Sequence, residues 1–278
     1  MEKRKVWTMW GSIVYVILMI IFTIGLIKIT KYGIYLLVIS ALLLALLIKI
    51  EKSKENPIIN LSLLNNLKYE IGIFAAMTMY FITFIAAYIH NLYLQLHLGF
   101  DQRTAGLILL ITPLVMIFVS PVAGKLTAKY DSRALSAIAL MVLLITMVIL
   151  FSMANIPFYI IIAIILKGIG HGLFSAPNNK YTLTLVDKDR LGDATSILAT
   201  SKEFGKNLSL AIYTVVCAIF TVDYHNLTTF RLSFNIIFLI SISLTVLAII
   251  LLIYSLIKFE DEENMKVLNF LRSIIGRK

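Results

Sequence analysis

The sequence predicts an all-α, polytopic membrane protein with about eight transmembrane helices. Three observations carry that prediction. Of 278 residues, 60% are hydrophobic and only 14% charged, whereas a soluble domain keeps roughly 25% charged to hold its surface in water. The apolar residues come in runs long enough to cross about 30 Å of hydrocarbon as helix, and a backbone in lipid must satisfy its own hydrogen bonds. Lys and Arg sit in small clusters between those runs, as in membrane loops. A nucleic-acid footprint would concentrate them on one face, so the net charge of +10 does not point to nucleic acid.

The spans follow from the runs and the charges that bound them. Val6–Ile27 comes after Lys3, Arg4 and Lys5; it is longer than a signal-peptide core and lacks a small-residue cleavage site, so it reads as a span. Tyr32–Ile48 lies between Lys31 and Lys49. Ile71–Leu94 follows Lys68, and Thr104–Val122 follows Arg103. Ala134–Met153 begins after the basic stretch Lys125, Lys129 and Arg133, and a short turn leads into Ile156–Leu173. Thr200–Val222 follows Lys180, Lys188 and Arg190, and Leu232–Ile257 follows Arg231. With Met1 in the cytoplasm, only Lys28, Lys31, Arg103 and Arg231 fall outside, so both termini are expected in the cytoplasm. Pro57–Leu67 is too short to span and reads as an interfacial entry to the third span. After Glu263, the apolar face Val267, Leu268, Leu271, Ile274 and Ile275 opposes Lys266, Arg272, Arg277 and Lys278. That pattern suits an amphipathic cytoplasmic helix on an anionic leaflet or on the protein's own loops.

No enzyme motif is present: no HExxH, Cys pair, P-loop or GxSxG. No cofactor or catalytic residue is expected. The single Cys217 lies in an apolar run and supports neither a disulfide nor a metal site. Gly168-Ile-Gly170-His-Gly172 superficially resembles a dinucleotide fingerprint, but no strand precedes it. Close helix packing explains these glycines better, with Pro177 expected to stop the helix. Ionisable residues inside spans are costly and become candidates for a substrate pathway or coupling. Lys167 lies well inside the sixth span and either faces a water-filled cavity, pairs with a carboxylate or snorkels. Lys202, Glu203 and Lys206 are expected to open the seventh span, where Glu203 and Lys206 share a face and either handle a cation or neutralise each other. His90 and His171 are expected near opposite membrane surfaces. Gln95 lines a pathway or marks the interface beside Tyr93. The many Phe, Tyr and Met residues would suit hydrophobic or cationic small molecules, although most serve lipid contact or packing.

Several of these pieces, in order, resemble the fourteen-span drug:proton antiporters of the major facilitator superfamily. Asn56-Pro57-Ile58-Ile59-Asn60-Leu61 is similar to the loop before that family's C-terminal bundle. Tyr93-Leu94-Gln95, Leu98-Gly99-Phe100 and Ala105-Gly106-Leu107 resemble its YLQ…LG…AGL stretch. Pro121 to Leu126, with Gly124 and Lys125, ending at Arg133, resembles the basic loop motif G-x-L-A-D-R-x-G-R. The motif's aspartate position holds Ala128, and its second glycine position holds Asp131. Gly168, Gly170 and Gly172, then Pro177-Asn178-Asn179, resemble a glycine-rich span followed by PNN. Gly192-Asp-Ala194-Thr-Ser196 with Lys202-Glu-Phe-Gly205 resembles the opening of the next span, with Lys206 and Ser209 where small residues are expected.

The resemblance implies two linker spans over 1–55, a six-helix C-terminal transporter bundle over 56–258 and the amphipathic tail over 259–278. Nothing in the chain matches the family's N-terminal bundle, whose acidic residues the family uses for proton coupling. What it implies is therefore proton-coupled multidrug efflux by a half-transporter in the cell membrane. That half would work with a separately encoded N-terminal half or a second copy of itself. An inactive fragment and a non-transporting membrane scaffold or regulatory subunit are the alternatives.

Overall fold

A computed structural model of the chain describes residues 2–28, 32–52, 63, 65–153, 157–220 and 227–259. The described residues are helical nearly throughout: α1 (Glu2–Ile27), α2 (Ile34–Lys52), α3 (Leu67–Leu92), α4 (Gln102–Leu109), α5 (Ile111–Thr127), α6 (Ser132–Met153), α7 (Pro157–Thr184), α8 (Leu191–Phe220) and α9 (Leu227–Lys258). Six spans among them are long and apolar enough to cross a membrane, counting α4 and α5 as one from Gln102 to Thr127. α1 and α2 add the apolar stretches Ile13–Leu26 and Ile34–Leu46. The protein is thus an all-α polytopic membrane protein. Most of the interfacial segment expected at Pro57–Leu67, and the amphipathic tail, lie outside the described residues.

Local chemistry sets the element ends. Asn66 caps α3 by accepting from the Lys68 N–H at 3.1 Å, and Asp101 caps α4 by accepting from the Arg103 N–H at 3.1 Å. The span of α4 and α5 breaks at Leu110, four residues after Gly106 and three before Pro113. Proline has no N–H, and its ring crowds the carbonyl four residues back, here Leu109. At the end of α3 the chain widens into a π-helical turn, Tyr93–His97. It then reverses at Gly99, whose φ of 70° is a left-handed conformation that glycine adopts without a Cβ penalty.

α3, α6, α7, α8 and α9 pack as a bundle, with α5 laid along α7 and the α1–α2 hairpin touching the bundle through α1 against α8. The core joins Ile82, Ile85, Leu140, Leu143, Met147, Phe174, Phe238 and Leu252. Coverage is uneven. In its most apolar 18-residue window the α3 span is 61% buried, against 28% for the α8 span and 11% for the α4–α5 span. α5 and α8 therefore carry the open sides.

Glycines set how closely α7 approaches its neighbours. A Cβ on Gly168 would lie 2.9 Å from the Thr112 carbonyl oxygen and from the Val115 Cβ, and one on Gly172 would lie 3.0 Å from Val119. Both therefore face α5. Gly170 faces α6, where a Cβ would meet Leu143 at 2.7 Å. The helix stop expected at Pro177 does not occur: α7 runs through it to Thr184. The span expected to end at Leu173 therefore continues as helix for about three further turns.

Candidate functional site

Two polar sites interrupt this apolar bundle. The first closes the bundle at one end. Arg133, only 3% exposed, donates from Nε and Nη2 to the Asp131 carboxylate at 3.2 and 2.9 Å. Its Nη1 donates to the carbonyls of Ser255 and Phe259, each at 3.0 Å. The Ser255 carbonyl, in the last turn of α9, also accepts from the Phe259 N–H at 3.2 Å, and the Phe259 carbonyl lies just past the helix end, so Arg133 holds the end of α9 from another helix. Its guanidinium also lies 5.8 Å from the centroid of the Tyr181 ring. Tyr181 in turn donates its hydroxyl to the Lys68 carbonyl at 2.9 Å, and Lys180 caps α5 by donating to the Thr127 carbonyl at 2.9 Å. Asp131 occupies the position where the loop motif has glycine. It also accepts from the Arg133 backbone N–H at 2.7 Å, so the departure supplies the arginine's counter-charge and the cap of α6 together. Gly124 and Lys125 are exposed, and a Cβ at Gly124 would meet nothing within 4 Å.

The second site lies along α3, α7 and α8. Lys167 is 4% exposed and stands about 15 Å along α7 from its start, with no hydrogen-bond or ion-pair partner among the described residues. His171, one turn on, is at the midpoint of α7. Its ring meets Tyr80 of α3 edge-on, with centroids 5.5 Å apart. Lys167 is within electrostatic range of both His171 and His90, and Lys202 and Lys206 are within range of His171. His90 is fully buried, and neither ring nitrogen has a hydrogen-bond partner among the described residues.

Across the site, Lys202 donates to the Asn179 Oδ1 at 2.9 Å and lies 5.6 Å from the Tyr80 ring. Lys206 donates to Glu203 at 2.6 Å and lies over Tyr80 and Phe84, at 5.3 and 5.0 Å. Glu203 is 54% exposed. Gln95 is set apart: its Nε2 donates to the Asn91 side chain at 2.8 Å, at the end of α3.

Two positional expectations are corrected. Lys202, Glu203 and Lys206 do not open their helix, because α8 begins at Leu191 and places them about 17 Å or more along it. His171 does not lie at the end of its helix: it stands at the midpoint of α7, because α7 passes through Pro177. The expected boundaries rest on Pro177 as a stop and on the polar stretch before Thr200 as a loop. In the folded chain the Thr195 and Ser196 hydroxyls bond back to the carbonyls of Leu191 and Gly192, at 2.7 and 2.9 Å, and join the helix. Burial of His90 has no sequence signal, since a histidine near a span end is ordinarily interfacial.

On α8, the outer side of the same turn meets α1. Tyr15 bonds Thr200, Asn207 donates to the Thr23 hydroxyl at 3.1 Å, and Phe22 stacks on Phe204 at 5.5 Å.

Residues 71–274 match the Major Facilitator Superfamily. Among curated relatives, the riboflavin transporter RibZ of Clostridioides difficile is 29% identical over 179 residues, 63% of this chain and 38% of that protein. The uncharacterized transporter YebQ of Escherichia coli is 29% identical over 161 residues, 56% of this chain and 35% of that protein. The multidrug resistance protein Stp of Mycobacterium tuberculosis is 25% identical over 175 residues, 63% of this chain and 33% of that protein. The matched region thus covers between 33% and 38% of the length of these relatives. An apolar helical bundle, the order of its motifs and a match over most of its length agree: the chain belongs to the Major Facilitator Superfamily.

Proposed function

We propose that this chain forms one wall of a solute pathway through the cell membrane, acting as a half-transporter with a complementary bundle. The observation that carries this reading is Lys167: a nearly buried ammonium, without a protein partner among the described residues, deep in a membrane-spanning helix. Such a charge is expensive in hydrocarbon and is retained where water, substrate or a facing charge meets it. Residues 56–258 supply the bundle and 1–55 the two linker helices, with both termini in the cytoplasm. The thinly covered spans α4–α5 and α8 are the sides on which a second bundle would sit, from a separate polypeptide or a second copy. Relatives named for riboflavin transport and multidrug resistance support movement of aromatic organic solutes. Proton-coupled efflux is the direction and coupling favoured by the order of motifs.

The test is energy-dependent dye extrusion from cells making the chain, alone and with candidate partner bundles. Extrusion should appear with the right partner and fall severalfold in Lys167→Ala, and less in Glu203→Gln. No extrusion with any partner would sink the reading. Stable co-purification with another membrane protein, unchanged by either substitution, would favour a scaffold or regulatory subunit instead.

A further inference from the structure

We propose that the α3–α7–α8 face binds an amphipathic organic anion, held by Lys167 and His171 and flanked by Lys202 and Lys206. The proposal rests on reading this face as a solute pathway and names the charge of the solute.

The charges at the site do not balance. α7 contains no Asp or Glu at all, α3 has none beyond Glu70 in its first turn, and α8 has only Glu203 beyond Asp193 near its start. Glu203 is engaged by Lys206 at 2.6 Å. Lys202 rests on a neutral amide and an aromatic ring. Lys167 has neither an amide nor a carboxylate within hydrogen-bond reach among the described residues. The site thus holds more cationic groups than carboxylates, in a region where an uncompensated charge is costly.

Burial points the same way. Lys167 is only 4% exposed, and a buried ammonium without a partner is rare. Lys167 and His171, one turn apart on α7, offer N–H donors from one face of that helix, which suits an acceptor-rich group such as a carboxylate or sulfonate.

Depth and lining define the rest of the ligand. His171 is at the midpoint of a 28-residue helix, about 20 Å from either end, so a lipid headgroup lying at the surface does not reach it. Tyr80, Phe84 and Tyr88 lie on successive turns of α3, and Tyr88 stacks on Tyr213 at 6.0 Å. They provide an aromatic wall for a flat organic body. A hydrophobic cation of the same shape would meet Lys167 and Lys206 directly, and setting like charges against each other is strongly unfavourable.

The experiment uses two xanthene dyes that share a ring skeleton and differ in charge: fluorescein, an anion at neutral pH, and rhodamine 123, a cation. The full chain in phosphatidylcholine nanodiscs is titrated against each by fluorescence anisotropy, with empty nanodiscs subtracted. Fluorescein should bind saturably and about tenfold or more tighter than rhodamine 123. Lys167→Met should weaken fluorescein by about tenfold while Lys167→Arg retains most of the binding, and Lys129→Met, on an exposed loop, should change nothing. Monodisperse elution of each variant and an unchanged helical circular dichroism spectrum guard against unfolding.

Rhodamine 123 binding as tightly as fluorescein, or fluorescein binding indifferent to Lys167→Met, would overturn the proposal. Binding of neither dye would overturn it as well. If in that case Lys167→Met releases a co-purifying membrane protein, the lysine's counter-charge is a partner's carboxylate. The assay needs no transport, so anion binding without dye extrusion would spare this proposal while removing the half-transporter reading. Extrusion of a cationic dye without anion binding would do the reverse.

Discussion

Arg133 is the residue whose removal the fold should feel most. Truncation leaves the Asp131 carboxylate buried without its counter-charge and takes away the side-chain donor of the Ser255 and Phe259 carbonyls at the end of α9. Breaking a buried pair from one side costs about 3–5 kcal/mol. Arg133→Ala should therefore lower thermal stability in detergent by roughly that much, and Arg133→Lys by less, because a lysine keeps the charge but cannot span the carboxylate and both carbonyls. The double variant Asp131→Asn/Arg133→Met should be more stable than Arg133→Ala, since no charge is then stranded. Equal losses in the three variants would show that the clasp contributes packing only. Lys167 is legible in the sequence because an ammonium in an unbroken apolar run is conspicuous. Asp131 is visible there only as a departure from a motif, since its role as the arginine's partner depends on a loop geometry that spacing does not report.

At the scale of helices, glycine positions divide sharply. A Cβ on Gly205 would collide with the Met77 carbonyl oxygen of α3. Backbone atoms cannot turn aside as a side chain can, so Gly205→Ala should push α8 from α3 at a cost of about 1–3 kcal/mol or more. Gly124→Ala, inside α5, meets nothing within 4 Å and should leave the melting temperature unchanged or raise it, since alanine favours a helix over glycine; comparing the two by thermal unfolding checks the assignment of packed and open faces. At the start of α4, the Thr104 hydroxyl, with the backbone N–H groups of Thr104 and Arg103, holds the Asp101 carboxyl below its ordinary pKa. A folded pKa below the unfolded one stabilises the fold above the unfolded value, and that contribution is lost as pH falls through the folded value. Asp101→Asn should remove this part of the acid sensitivity, read as a smaller loss of stability between about pH 5 and pH 3. The lengths of α7 and α8 are the least legible elements. Pro177 punctuates most sequences as a stop, but here its missing N–H is tolerated inside a packed bundle, and the hydroxyls of Thr195 and Ser196 look loop-like until they bond back along the helix. Both misplacements hide the same thing: His171, Lys202 and Lys206 stand well inside their helices and gather at Tyr80.

For the whole molecule, long apolar spans are readable because hydrocarbon thickness and backbone satisfaction leave few alternatives. Which faces are covered is not, because apolar residues that meet lipid and those that meet another helix look the same in sequence. The proposed topology, with both termini in the cytoplasm, predicts that fusions at residue 278 are active only as cytoplasmic reporters. A solute pathway further requires that the α3–α7–α8 face open to water in the middle of the membrane. The most direct test replaces His171 with cysteine in a Cys217→Ser background and exposes membrane vesicles to a charged, membrane-impermeant thiol reagent. Modification of that cysteine, slowed by fluorescein, is the result expected if water and solute reach the midpoint of α7. An unreactive cysteine there, with a control cysteine at exposed Lys129 fully labelled, would contradict it and leave the cluster as internal packing.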